Sequence, residues 1–168
     1  VQMRVTVVPD DNFISVNGEG LVFSFPHEPD MHALQWAETA GHIEYKPQNG
    51  VMPANRPLGE EDFASVVQPY VTLHAQEKAR RTAEEQAEAQ RKLDEYNSEP
   101  ARFERLRAER DARIAATDYL MTSDYPLTDE QRAAVTAYRT ALRDLPAQDG
   151  APWDGGGEET PWPVMPKL

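Results

Sequence analysis

Histidines, paired carboxylates and a complete absence of cysteine set the chemistry open to this chain of 168 residues. His27, His32, His42 and His74 show no His-x-x-His or Glu-x-x-His spacing, so no helical face presents two ligands to a metal. His32 and His42 approach each other only if their strands pair, and a metal there would still need a third ligand. Without cysteine there is no disulfide frame, no thiolate metal site and no thiol chemistry. The chain contains no Gly-x-Ser-x-Gly elbow, phosphate loop, dinucleotide fingerprint or His-Glu-x-x-His pair. Asp10-Asp11 and Glu60-Glu61 fall in a turn and at a helix start, where solvation and the helix dipole account for them. On its residues the chain offers no catalytic site, no cofactor site and no metal site.

The aromatic residues are more informative. Trp153 and Trp162 stand in 147–168, a stretch of Gly, Pro and acids that cannot form a core of its own. They either fold back on the preceding helices or anchor a partner, as aromatic side chains do at interface hot spots. Tyr119, Tyr125 and Tyr138 read as the small core of a helical hairpin, with exposure of one of them as a contact being the alternative.

Charge narrows the partners. The net charge is −12, split as −7 over residues 1–75, zero over 76–113 and −5 over 114–168. Both ends therefore repel nucleic-acid backbones and anionic membranes. No apolar run approaches a membrane span and no signal-peptide pattern is present, so the chain reads as soluble and non-secreted. Val1 and Gln2 stand ahead of Met3, and nothing in the sequence says whether they are native.

The elements that must carry these residues are α+β in kind. Residues 1–58 read as a small antiparallel β-module, a five-strand meander. Its strands are 3–8, 13–16 and 21–25, then 31–36 and 42–46, with helix as the alternative for 31–39. Asn17-Gly18-Glu19-Gly20 is a hairpin turn, because Asn and Gly tolerate positive φ. The fourth and fifth strands join through Ala40-Gly41, and 47–59 is a connector. Residues 59–99 hold a covering helix (Phe63, Val66, Val67, Tyr70, Val71 and His74 at helical spacing) and a long charged arm. From Gln76 to Tyr96 the arm has no Gly, no Pro and a single β-branched residue, Thr82. Glu77–Arg81 and Glu88–Lys92 support it as i,i+4 pairs. The arm is either a solvated helix pinned by its neighbours or a contact with a copy of itself or another chain. Its Ala stripe is too narrow for a strong autonomous coiled coil. Residues 100–146 form a helical hairpin: Ser98 caps its first helix with Pro100 in the first turn, and Thr128 to Gln131 make a capping box for the second. Residues 147–168 form a flexible Trp/Pro tail.

Arg110-Asp111, Thr117-Asp118-Tyr119, Asp124-Tyr125-Pro126-Leu127-Thr128, Tyr138-Arg139, Ala141 to Pro146 and Pro161-Trp162-Pro163 together resemble phage tail assembly chaperone proteins over residues 101–166. Tyr119 takes the place of the family's usual Trp. Leu34-Gln35-Trp36 and Gly41 to Lys46 resemble, more weakly, the head of tail-fibre assembly proteins. The resemblance implies a non-enzymatic protein of a phage or prophage. It would work in the host cytoplasm with a tail fibre or tail protein as client, and with no nucleic acid or membrane partner. It draws attention to Arg110, Asp118, Arg139 and Asp144. They either contact the client or, as Arg–Asp pairs at a hairpin end do, fix helix register; Asp118 and Arg139 are placed to reach each other. With Tyr119, Tyr125, Trp153 and Trp162, Arg110, Asp118 and Arg139 are the candidate partner-binding residues. From a different class, the chain would be a structural component of the tail, fibre tip or baseplate that stays in the virion.

Overall fold

Asn17 and Gly18 turn the chain with φ of 52° and 87°, the two positive values that a two-residue hairpin loop of matching twist requires. They join β2 (Phe13–Val16) to β3 (Glu19–Val22), with Val16 opposite Glu19. The computed structural model describes residues 3–168, so Val1 and Gln2 lie outside the described residues. β1 (Arg4–Val8), β4 (Met31–Ala37), β5 (Ala40–Tyr45) and β6 (Arg56–Leu58) complete a six-stranded sheet in the order β3-β2-β1-β4-β5-β6, antiparallel at every step. The protein is thus α+β, an antiparallel sheet followed by helices.

The expected five-strand meander needs three corrections. β1 lies inside the sheet, so the chain leaves β3 at one edge and returns to pair β4 along the other side of β1. The supposed connector also contains β6, which pairs with β5 through Gly41–Leu58, His42–Pro57 and Ile43–Arg56. A three-residue strand with a central proline is legible only as an edge, where the missing N–H faces no partner. The β4–β5 turn is Glu38-Thr39 rather than Ala40-Gly41, since Ala37 already pairs with Ala40. Gly41 is needed inside the strand: a Cβ there would sit 3.0 Å from the Trp36 ring and closer still to the Gln35 carbonyl.

Alternation sends Val5, Val7, Ile14, Leu34, Trp36 and Ile43 to one face, all buried. A π-helical turn, Phe63–Val67, and the start of α1 (Gln68–Asn97) cover that face with Val67, Tyr70 and His74. Phe63 meets the Trp36 ring at 5.3 Å and Tyr70 meets Phe25 edge-on at 6.0 Å. The buried His74 donates from Nε2 to the Glu19 carbonyl at 2.8 Å. Phe63, Val66, Val71 and Leu73 pack against the same cluster.

The chain divides into two compact units, one ending at Ala87 and the next beginning at Glu88. α1 runs through the boundary, and its residues 82–97 are all exposed. Arg81 bonds Glu77 at 2.7 Å, Arg80 pairs with Glu77 and Glu84, and Arg91 and Lys92 pair with Glu88 at 2.8 and 3.5 Å. A helix polar all round is held largely by such pairs and by propensity.

In the second unit, α2 (Glu99–Ala115) starts where Ser98 Oγ accepts from the Ala101 N–H. α3 (Asp129–Asp144) starts on a complete capping box: Thr128 Oγ1 accepts from Gln131 N at 3.1 Å, and Gln131 Oε1 accepts from Thr128 N at 2.9 Å. Leu106, Leu120, Val135, Tyr138, Leu142 and Leu145 are its buried centre. Among the described residues no helix is long and apolar enough to cross a membrane.

Candidate functional site

The turn between α2 and α3 carries two of the candidate aromatic residues, the exposed Tyr119 and the half-buried Tyr125. Two arginines of α3 hold it. Arg139 donates to the Ile114 carbonyl at 2.8 Å, to Thr117 Oγ1 at 2.7 Å and to Asp118 Oδ1 at 2.8 Å. Its side chain is 11% exposed, whereas Asp118 is 63% exposed. The expected pairing of Asp118 and Arg139 is therefore present, together with contacts to the buried Thr117 and the half-buried Ile114. Arg132 faces the carbonyls of Leu120, Thr122 and Tyr125 at 3.2 to 3.5 Å. Leu120 plugs into the core between them with no exposure.

Held in this way, the turn displays Tyr119, 55% exposed, with Met121 two residues on. The Tyr119 and Tyr125 rings pack edge-on at 5.2 Å. Of the three tyrosines read as a core, Tyr138 alone is buried; Tyr125 is half-buried and Tyr119 faces solvent. Tyr119 follows the buried Thr117 and precedes the buried Leu120, so the short 3-10 turn Asp118–Met121 points it outward. Arg132 and Met121 were missed. The signal for Arg132 is weak: an arginine in the first turn of a helix, next to a loop with unpaired carbonyls, reaches back to them.

Arg110 lies elsewhere. It donates from Nε to Asp111 at 2.7 Å on the same helix and meets neither Asp118 nor Arg139. Asp144 is exposed at the end of α3.

The two tryptophans resolve toward folding back. Residues 148–162 are irregular, yet from Trp153 to Trp162 they lie along α2 rather than hanging from it as a flexible tail. Arg102 donates to the Trp153 carbonyl at 2.6 Å, and the Arg113 guanidinium stacks 4.1 Å above the Trp162 ring. Gly155 and Gly156, with φ of 82° and 100°, let the backbone touch α2: a Cβ on Gly155 would come within 3.0 Å of Arg102 Cα. Asp154 fastens this turn by accepting from Thr160 Oγ1 at 2.7 Å, Gly157 N at 2.9 Å and Glu159 N at 3.0 Å. Those donors hold the Asp154 carboxyl below its ordinary range, the Thr160 hydroxyl contributing most and the Glu159 N–H next.

His42 pairs with Glu44 at 3.0 Å, and among the described residues no cluster of three His, Cys, Asp or Glu could hold a metal ion.

Residues 103–167 match the phage tail assembly chaperone protein family. The match begins inside α2 and takes in the arginine-held turn, α3 and the segment folded along α2. It agrees with the resemblance drawn from the sequence and supports a general role in phage tail assembly. The sheet unit lies outside the matched residues. No curated protein and no solved structure matches the chain.

Proposed function

We propose that this protein is a non-catalytic assembly chaperone of a phage or prophage. It binds a tail fibre or other tail protein in the host cytoplasm and assists its folding or assembly. The observation that carries this reading is the chaperone-family match over residues 103–167. Geometry then favours one part of that segment as the client contact. Trp153 and Trp162 are occupied on α2, while Tyr119, Tyr125 and Met121 stand on a turn already fixed by Arg132 and Arg139. An aromatic anchor on a rigid support loses little freedom on binding, which is how a small patch comes to dominate an interface. Asp118 and Asp124 flank it, so the matching client surface is an apolar pocket with a basic rim.

The test is co-expression with the tail proteins encoded beside it. A client should co-purify with the full chain, and Tyr119→Ala should weaken capture by roughly thirtyfold, the equivalent of about 2 kcal/mol at a hot spot. If none of those tail proteins is captured or gains solubility, the chaperone reading is lost. Stoichiometric recovery of the protein from purified particles would instead make it a structural part of the tail, fibre tip or baseplate.

A further inference from the structure

Two features lie outside the client contact proposed above, and each supplies what the other lacks. The first is a groove of about 350 Å³ in the sheet unit, beside the π-helical turn. Its walls are mostly apolar, formed by Pro26, Val66, Pro69, Tyr70 and Leu73, and His27, Ser65 and Glu28 supply its polar lining. Glu28 Oε1 accepts from the Tyr45 hydroxyl at 2.9 Å. Its Oε2 lies 3.9 Å from Arg56, too far for a hydrogen bond, and the side chain is 40% exposed. The groove therefore offers an apolar floor and one carboxylate oxygen open to a closer cation.

The second feature is the segment Pro163-Val164-Met165-Pro166-Lys167-Leu168. Two prolines in six residues hold such a segment extended, with little freedom left to lose on docking. Val164 is 89% exposed, and Met165 and Leu168 are exposed as well. Trp162, seated under Arg113, fixes the point from which the segment departs. Lys167 is the one basic residue after Arg143, in a chain of net charge −12.

We infer that the groove of one copy takes the Pro163–Leu168 segment of a second copy, apolar side chains on the Val66–Leu73 wall and Lys167 beside Glu28. Proline-rich segments dock in grooves of this kind, lined by aromatic and proline side chains. Charge selects this occupant. A chain this acidic repels copies of itself, and the segment pairs its single cation with the groove's carboxylate. Each copy has one groove and one segment, so the contact is head-to-tail and extends into a ring or an open string rather than stopping at a symmetric pair.

Sedimentation velocity of the full chain, run from low to several hundred micromolar, should show a rising weight-average mass without a plateau at the dimer. Val164→Asp and Lys167→Glu lie outside the groove and outside both cores. Each should leave the melting curve in place and push association to at least tenfold higher concentration. Glu28→Lys combined with Lys167→Glu should restore it. A synthetic peptide spanning Trp162–Leu168 should dissociate the assemblies and shift the His27 and Tyr70 resonances. A full chain that stays monomeric throughout overturns the inference. So does association that Val164→Asp and Lys167→Glu leave untouched.

Discussion

Arg139 serves three acceptors with one guanidinium, and they differ in how much water they see. Asp118 is exposed, so its ion pair competes with solvent and is worth at most about 1 kcal/mol. Thr117 is buried, and with the Ile114 carbonyl it loses its charged donor when the guanidinium is removed. Arg139→Met should therefore cost about 2–3 kcal/mol, Asp118→Asn under about 1 kcal/mol, and the coupling between them should stay near the smaller figure. Urea denaturation of the two single variants and the double variant measures all three. Equal losses from the two single changes would place the holding force in the exposed pair. At this scale the sequence was readable where two charged residues bracket a turn, as Asp118 and Arg139 do. It was silent on Arg132, whose partners are main-chain carbonyls common to every loop. It left Tyr119 open between core and contact, because an aromatic residue beside buried neighbours looks the same in sequence whether it points in or out.

Helix starts were legible for the opposite reason: their signals are local. Ser98 with Ala101, and Thr128 with Gln131, bond within one turn, and both caps form as spacing predicts. The path of 147–168 was not legible, since Gly155 and Gly156 make sense only against Arg102 and Leu106, some fifty residues away. Acid separates the elements. Arg80 and then Arg81 pull the Glu77 carboxyl down to about 2 from 4.5, and Asp154 lies below its ordinary 3.8. Both groups ionise more readily in the folded chain. Their contribution is complete above the unfolded values and is lost as pH falls through the folded ones. Circular dichroism should show α1 losing helix between about pH 4.5 and 2, less steeply in Glu77→Gln. Below pH 3.8, emission from Trp153 and Trp162 in a Trp36→Phe background should move to the red as the Asp154 turn opens. Asp154→Asn should show the red emission already at neutral pH. A segment that stays on α2 at low pH would mean that packing by the tryptophans suffices without the carboxylate.

Across the whole molecule, each unit has its own buried centre, one around Leu34, Trp36 and Ile43, the other around Leu106, Val135 and Leu142. Trp36 is 4% exposed, and its indole N–H is a buried donor without a partner among the described residues. Trp36→Ala should cost about 3–5 kcal/mol through the cavity it leaves. Trp36→Phe should cost only about 1 kcal/mol, because removing an unpaired buried donor offsets part of the lost packing. Hydrogen exchange should then find the sheet amides unprotected in Trp36→Ala while α3 keeps its protection. Simultaneous loss in both units would mean that the two cores unfold as one.

The hairpin loop at Asn17-Gly18 has a consequence in time. In an asparagine followed by glycine, the glycine backbone nitrogen attacks the side-chain carbonyl carbon and expels ammonia, giving a succinimide that water opens to isoaspartate or aspartate. Asn17 is guarded, because its carboxamide oxygen accepts the Arg4 N–H at 2.9 Å. Asn49-Gly50, with the same two positive φ angles, is an exposed turn between Gln48 and Val51. The chain thus contains two such fuses, one tied to β1 by a hydrogen bond and one in an open turn. Peptide mapping of an aged sample should find Asn49 converted first, and conversion of Asn17 should record how often β1 and β2 have come apart.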